Sequence, residues 1–228
     1  MSVAFHPHLE QLPDPQRHLW TDLRPTRRLG MVLYGGTAVA LRLGHRVSVD
    51  FDFFTDRTLD RTALTSSLPF LDRALVLQDQ PNTFSVIVSG PEDGNAGVNV
   101  SFFGGITFGR VGIPSVTEDG VLQVASMDDL MATKLKVILQ RIEAKDYIDI
   151  AAMIEADASL ERGLAGARTL YGMAFQPSEC LKALVYFEGG DLDRMPQTVR
   201  DVLIDAVREV RALPDVDLVS RQLALSAP

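Results

Sequence analysis

One segment constrains the fold more than any other part of the chain: residues 33–54, which read LYGGTAVALRLGHRVSVDFDFF. An apolar run ends at Tyr34, as in a buried strand, and a glycine pair then opens a short apolar stretch with helical spacing. Gly44 ends that helix, and a β-like run follows in which Val49, Phe51 and Phe53 alternate with two aspartates. The segment predicts strand, tight turn, helix and strand, with both carboxylates on one strand face.

Asp50 and Asp52 are two residues apart on this predicted strand, so their side chains lie about 7 Å apart or less. Two carboxylates at this distance repel each other unless a cation lies between them. Mg2+ is the natural occupant, because it binds one or two carboxylates and completes its coordination with waters and substrate phosphates. Mn2+ accepts the same oxygen ligands. The pair therefore predicts a divalent metal site.

The stretch Gly35-Gly36-Thr37 supplies the other half of such a site. Free N–H groups at a helix N-terminus bind phosphate, and glycine lets the phosphate approach the backbone closely. Alone, a glycine pair is most often only a turn, and Asp-x-Asp is most often a solvated strand face. Their combination in this order, between apolar strands, favours a cradle for a metal ion and a triphosphate.

The rest of the chain indicates an α+β fold. A helix follows from Asp60 to Leu68, with Thr58 or Asp60 as its N-cap. Runs rich in β-formers are Ala74 to Leu77, Thr83 to Ser89, Gly97 to Phe103 and Val121 to Val124, and we expect them to extend a sheet that is largely antiparallel. Later helices are predicted from Ser126 to Arg141, Lys145 to Glu155, Leu160 to Tyr171, Pro177 to Phe187 and Thr198 to Leu213. We expect a sheet core with an N-terminal helical arm in residues 1–125 and a helical part in residues 126–228.

Composition bounds the class of protein. The chain has 228 residues, of which 46% are hydrophobic, so it can bury a sizeable core. Its single cysteine, Cys180, excludes an intrachain disulfide. Neither a signal-peptide pattern nor a bilayer-spanning apolar run is visible, so we expect a cytoplasmic protein without a membrane partner. The net charge of −8 argues against a generic nucleic-acid coat, although it leaves room for a local basic groove.

Two downstream helices carry the remaining candidate charges. Lys134 and Arg141 are seven residues apart, so they are expected nearly on one face of the predicted helix that begins at Ser126. Asp146 and Asp149 are adjacent on the next helix, at positions i and i+3. A snorkelling lysine, a solvated helix face, and ion pairs of the aspartates with Lys145 or Arg141 would explain these charges without any function.

Taken together, the motifs resemble those of the DNA polymerase β-like nucleotidyltransferases, in the form found in the AbiEii/AbiGii-type toxin family. The resemblance runs from about Leu29 to Ile154. Its residues are Gly35-Gly36-Thr37, Arg46-Val47-Ser48-Val49-Asp50-Phe51-Asp52, Lys134-Leu135, Arg141 and Lys145-Asp146-Tyr147-Ile148-Asp149. The resemblance implies a nucleotidyltransferase-type mixed sheet flanked by helices and followed by a helical C-terminal part.

The resemblance also implies an activity, namely Mg2+-dependent transfer of a nucleoside monophosphate from a nucleoside triphosphate to an acceptor hydroxyl. It assigns the metal to Asp50 and Asp52, and charge neutralisation on the triphosphate to Lys134. Further nucleotide contacts fall to Gly35, Gly36, Thr37, Arg46, Ser48, Arg141 and Lys145. Asp146 would orient Lys134 or act as the base. In some relatives the acceptor is the 3′ end of tRNA, and an antitoxin encoded beside the toxin restrains it.

One departure from the superfamily concerns a third carboxylate, which commonly lies on a later strand beside the first two. In the run Val98 to Phe103 the polar positions hold Asn99 and Ser101 instead. Either two carboxylates hold the metal while another group, such as Asp146 or Asp149, supplies base chemistry, or the activity is altered or lost. The alternatives are thus a nucleotide- or partner-binding protein with reduced catalysis, or a transferase with a protein or small-molecule acceptor.

Overall fold

The computed structural model describes residues 4–88 and 97–225, which form two compact units. Within these ranges, the first unit comprises residues 4–109, 113–125 and 220–225, and the second comprises residues 110–112 and 126–219. The predicted domain division after residue 125 stays a prediction. Across the same ranges, no helix has the length and hydropathy that a membrane span requires.

The first unit is built on a mixed sheet. Its strands are β1 (Ala4–Phe5), β2 (Val32–Tyr34), β3 (Asp50–Phe54), β4 (Leu75–Gln80), β5 (Thr83–Val88), β6 (Val98–Phe103), β7 (Ser115–Thr117) and β8 (Gln123–Val124). Among the described residues the sheet has eight strands, in the order β1-β7-β8-β2-β3-β6-β5-β4. Strand β3 is antiparallel to β2 and parallel to β6, so a mixed sheet with antiparallel hairpins, as predicted, is confirmed.

The alternation along β3 decides which face of the sheet becomes the core. Phe51 and Phe53 are fully buried, whereas Asp50 and Asp52 on the other face are half-buried. The ring of Phe53 stacks on that of Phe102 from β6, with 5.6 Å between centroids, and Phe51 lies 6.5 Å from the ring of Trp20. Buried aromatic area of this kind holds β3 in one register and leaves the aspartate face outside the core.

Three α-helices of the first unit are described: α1 (Asp14–Leu19), α2 (Gly35–Leu43) and α3 (Arg61–Ser67). The sequence predicted a separate tight turn at the glycine pair. In the structure, helix α2 begins directly after β2, so the glycine pair forms the first turn of the helix. Gly44 ends α2 in the left-handed conformation, with a φ of +65°, as expected for a C-terminal glycine. The predicted cap of α3 is also confirmed, because Asp60 accepts a hydrogen bond from the Ala63 amide.

The strand predictions differ from the structure at several ends. Strands β1 and β7 were missed, because two or three residues carry no detectable alternation. Val49 lies outside β3 and is 56% exposed, whereas the pattern placed it on the apolar strand face. Strand β4 continues to Gln80, where it pairs with Thr83 in a tight hairpin. Residue Ser89, the predicted end of the following strand, lies outside the described residues.

The second unit is helical. Its α-helices are α4 (Met127–Val137), α5 (Ala144–Glu155), α6 (Leu160–Tyr171), α7 (Pro177–Val185) and α8 (Gln197–Glu209), which confirms the predicted helical C-terminal part. The side chain of Ser126 caps α4 by accepting a hydrogen bond from the Asp129 amide. Helix α4 ends at Val137, four residues earlier than predicted, and a turn follows. Arg141 therefore lies outside α4, and the prediction that it shares a helix face with Lys134 is wrong.

Within the second unit, buried polar contacts join residues 110–112 to the start of α4. The Asp129 carboxylate accepts hydrogen bonds from the amides of Val111 (2.7 Å) and Gly112 (3.2 Å) and from the Ser126 hydroxyl (2.5 Å). Since a buried carboxylate is costly without partners, these three donors are what allow Asp129 to occupy the interior at the start of α4.

Two glycines of α6 provide a test of the helix packing in the second unit. A Cβ atom at Gly163 would lie 2.3 Å from Cγ of the buried Met131, whereas one at Gly166 would lie 3.3 Å from Cγ2 of Val111. We expect Gly163→Ala to lower the free energy of unfolding by about 1–3 kcal/mol through overpacking. Gly166→Ala serves as the matched control, because the better helix propensity of alanine offsets its mild crowding.

Urea unfolding followed by circular dichroism measures both variants. Equal stability changes for the two glycine substitutions would show that α4 and α6 do not approach each other most closely at Gly163.

Candidate active site

The half-buried face of β3 meets the start of α2 at Asp52. In the β2–β3 pairing Asp52 lies opposite Tyr34, the last residue before α2. A Cβ atom at Gly35 would lie 2.5 Å from Oδ2 of Asp52, and Gly35 has a φ of +73°. Both the space and the backbone conformation therefore require glycine at position 35. The structure thus brings the first glycine of the predicted cradle against the second predicted metal-binding carboxylate.

Gly36 faces the loop that precedes β3. A Cβ atom at Gly36 would lie 2.5 Å from Nη2 of Arg46 and 3.2 Å from Oγ of Ser48. The close approach places a guanidinium beside the first turn of α2, where exposed backbone N–H groups and the helix dipole also favour an anion. These positive groups all belong to the first unit, and they surround the same glycines that the sequence assigned to phosphate binding.

Thr37 and Ser48 fasten this loop to α2. The two hydroxyls are hydrogen-bonded to each other at 2.8 Å, and the Thr37 hydroxyl also donates to the backbone carbonyl oxygen of Asp50. Both side chains are buried. Their observed contacts fix the path of the chain from α2 into β3, and the predicted contacts of these hydroxyls with phosphate stay predictions.

The carboxylate pair suits a hard divalent cation. Asp50 and Asp52 project from one strand face and remain half-exposed, so both are accessible to an ion and to a phosphate-bearing ligand. Within residues 4–88 and 97–225, no group of three or more His, Cys, Asp or Glu side chains is arranged to hold a metal ion. The acidic ligands available at this face are thus the two aspartates that the sequence indicated.

The strand beside these aspartates is β6, the run that the sequence analysis named as lacking a third carboxylate. Its parallel pairing with β3 places Asn99 next to Asp50 and Ser101 next to Asp52. Ser101 is buried, and its hydroxyl is hydrogen-bonded to that of Ser85 on β5 at 3.0 Å. The sequence-predicted candidate Ser101 therefore lies at the site, with its hydroxyl bonded to another strand.

In the second unit, a lysine is enclosed by acidic side chains from the next helix. Nζ of Lys134 lies 2.7 Å from Oδ1 of Asp146 and 2.5 Å from Oδ2 of Asp149. The lysine side chain is 6% exposed, and both carboxylates are fully buried. Arg141 approaches from the turn after α4, with Nε 2.8 Å from Oδ2 of Asp146. Lys134, Asp146 and Asp149 thus form a buried cluster, and the partly exposed Arg141 borders it.

The cluster favours the charged form of Asp146. Burial opposes ionisation, but the hydrogen bond from Arg141 and the charge of Lys134 outweigh it, so the pKa of Asp146 lies below its ordinary value. A carboxylate stabilised in this way is a weak base. Of the two ion-pair partners that the sequence offered these aspartates, Arg141 is confirmed by its contact with Asp146, whereas Lys145 lies 2.9 Å from Glu143.

Comparison with known proteins agrees with this picture. The family model described as "Nucleotidyl transferase AbiEii toxin, Type IV TA system" matches residues 19–219. A curated relative, the uncharacterized protein aq_aa25 of Aquifex aeolicus (strain VF5), is 28% identical over 158 residues, which cover 68% of this chain and 73% of the relative.

Two solved structures share the fold. An antigenic nucleotidyltransferase-like protein from Paracoccidioides brasiliensis superposes with a TM-score of 0.52 at 17% identity, covering 86% of this chain and 93% of that one. MenT4, the nucleotidyltransferase toxin Rv2826c from Mycobacterium tuberculosis H37Rv, gives a TM-score of 0.55 at 15% identity, covering 86% and 82%. These similarities confirm the predicted α+β fold.

The buried cluster makes a prediction about stability. Asp146→Asn keeps the shape of the side chain but leaves Lys134 and Arg141 with one carboxylate fewer, so we expect the free energy of unfolding to fall by about 3 kcal/mol. The control is Glu179→Gln, which breaks an exposed ion pair with Lys182 in the same unit and should cost less than about 1 kcal/mol. Similar losses in urea unfolding of the two variants would contradict the assignment of a buried cluster.

The lowered pKa of Asp146 leads us to predict that its contribution to the free energy of unfolding depends on pH. Above the ordinary carboxyl pKa of about 3.9, Asp146 is ionised in both the folded and the unfolded chain, so its stabilising contribution is complete. As the pH falls below that value, the unfolded chain takes up the proton first, because the folded pKa is lower. The contribution therefore declines with acidification and is lost once the pH passes the folded pKa.

We expect the stability difference between the wild type and Asp146→Asn to shrink as the pH falls below about 4. Urea unfolding of both proteins above and below this pH measures the difference directly. A difference that stays constant or grows in acid would show that the folded pKa of Asp146 is not lowered.

Proposed function

Because the chain belongs to the AbiEii nucleotidyltransferase toxin family, we propose that it transfers a nucleoside monophosphate from a nucleoside triphosphate to an acceptor hydroxyl, in a reaction that requires Mg2+ or Mn2+. One observation carries the proposal: Asp50 and Asp52 share a half-exposed face of β3 where α2 begins at Gly35. Acidic oxygens for a cation thus adjoin backbone amides suited to a phosphate.

In this proposal, Asp50 and Asp52 hold the metal, which when bound neutralises phosphate charge and polarises the phosphoryl group. The amides of Gly35 and Gly36 and the guanidinium of Arg46 bind the phosphates of the nucleotide. Such transfer relies chiefly on positioning and charge stabilisation, so a rigid helix start beside a rigid strand is a suitable frame. Thr37 and Ser48 keep that frame in place through their mutual hydrogen bond.

The second motif lies in the second unit, and its roles in this proposal come from the resemblance. The resemblance assigns Lys134 to the triphosphate, with Arg141 and Lys145 as further nucleotide contacts. Because Asp146 and Asp149 both lie within hydrogen-bonding distance of Lys134, we assign these carboxylates to the positioning of the lysine. The lowered pKa of Asp146 makes it a poor base, and this favours the positioning role over proton abstraction.

For the acceptor we propose the 3′ end of tRNA, with a cognate antitoxin protein as the partner that restrains the activity. The family description, which names a type IV toxin–antitoxin system, supports the antitoxin, whereas the tRNA acceptor rests on the resemblance alone. The net charge of −8 favours the competing acceptors, a protein or a small molecule, over RNA. Asn99 and Ser101, in place of a third carboxylate, motivate the other alternative, a nucleotide-binding protein that transfers poorly.

The decisive experiment incubates the purified protein with each labelled nucleoside triphosphate, Mg2+ and total tRNA. We expect label on RNA, and we expect Asp50→Ala to abolish it, because a metal site loses one of its two acidic ligands. The variant should unfold at the same urea concentration as the wild type, since the change removes a half-exposed charge from a strand face.

Asp72→Ala is the control, because Asp72 is an exposed carboxylate in the same unit and belongs to none of the proposed contacts. Transfer that survives in Asp50→Ala refutes the metal assignment. Label that appears on protein and not on RNA would support a protein acceptor. Mg2+-dependent nucleotide binding without transfer would support a nucleotide-binding protein that transfers poorly.

A further inference from the structure

The parallel register of β3 and β6 puts an amide beside the aspartate pair. Asp50 pairs with Asn99 and Asp52 with Ser101, and all four residues project from the same face of the sheet because side chains alternate along both strands. Adjacent strands lie about 4.8 Å apart, so the Asn99 side chain is as near to Asp50 as a neighbouring strand allows. Asn99 is one of the two polar residues that the sequence analysis named in place of a third carboxylate.

The oxygen of this amide lacks a partner. Among the described residues, Oδ1 of Asn99 is buried and accepts no hydrogen bond. A buried polar oxygen without a donor is unfavourable, so a cation or an ordered water that satisfied it would lower the free energy. Ser101 differs in this respect, since its hydroxyl is hydrogen-bonded to Ser85. Of the two polar residues that face the aspartates from β6, Asn99 is therefore the one with an oxygen to offer.

Amide oxygens belong to the ligands that hard cations accept. Carboxylate, carbonyl and water oxygens all suit Mg2+ and Mn2+, and an amide oxygen supplies a coordinating dipole without a further negative charge. No donor needs to be displaced for Asn99 to bind a cation, because its oxygen has none within the described part of the chain.

We propose that Asn99 is a third ligand of the divalent metal held by Asp50 and Asp52. The inference rests on the proposed metal-dependent function and goes beyond it by naming the residue that replaces the third carboxylate. Its consequence is a site with two negative charges from the protein. Such a site binds a free cation more weakly than three carboxylates would, and it relies more on the phosphates of the nucleotide to complete the coordination.

The test measures binding of Mn2+ alone to the full chain, by electron paramagnetic resonance, so that the readout does not depend on catalysis. We expect Asn99→Ala to raise the Mn2+ dissociation constant about tenfold, as the loss of a supporting ligand does at other metal sites. We expect Asn99→Asp to lower it below the wild-type value, because a carboxylate of the same shape adds a charge. Thr83→Ala, on the same sheet face but on β5, should leave it unchanged.

Asp50→Ala separates the two proposals. If Asp50→Ala weakens Mn2+ binding and Asn99→Ala does not, the metal site stands and Asn99 is not a ligand. If neither substitution changes Mn2+ binding, the proposed metal site itself is wrong. Asn99→Asp controls for a folding defect in Asn99→Ala, because aspartate has the same shape as asparagine. Weaker Mn2+ binding by a folded Asn99→Asp protein would also overturn the inference.

Discussion

The alternation of buried rings and half-exposed carboxylates along β3 is the constraint on which the first unit depends. A slip of one residue in its pairing would turn Phe51 and Phe53 toward solvent and two aspartates into the core. The register is therefore fixed by hydrophobic burial, although its functional consequence appears on the opposite face. That register sets Asp52 against the start of α2 and Asp50 beside Asn99.

The two groups of charged residues, one around Lys134 and one on β3, differ in how deeply they are buried. Lys134 and its two carboxylates are buried, and the charge of the lysine is compensated by carboxylates of the same unit. The aspartates of β3 keep access to solvent and have an unsatisfied amide oxygen as neighbour. A divalent cation bound between the two aspartates would offset their mutual repulsion, as the proposed metal-dependent transfer requires.

Preorganisation of the proposed site comes from neutral contacts around it. Gly35 has no side chain that would collide with Asp52, and the bonded hydroxyls of Thr37 and Ser48 hold the loop that carries Arg46. All of these contacts are made between residues of the protein. Because they fix the backbone before any nucleotide binds, the cost of ordering the phosphate-binding groups has already been met by folding.

The sequence by itself determined the elements whose signals are local: β3 from its alternation, the end of α2 from Gly44, and the start of α4 from the Ser126 cap. It also determined that Asp50 and Asp52 share a face. Only the tertiary structure decided that Lys134 pairs with Asp149, that Arg141 lies beyond α4, and that Asn99 stands beside Asp50. These relations join residues far apart in the chain, and strand register and helix packing arise from burial of the whole core, which local periodicity does not encode.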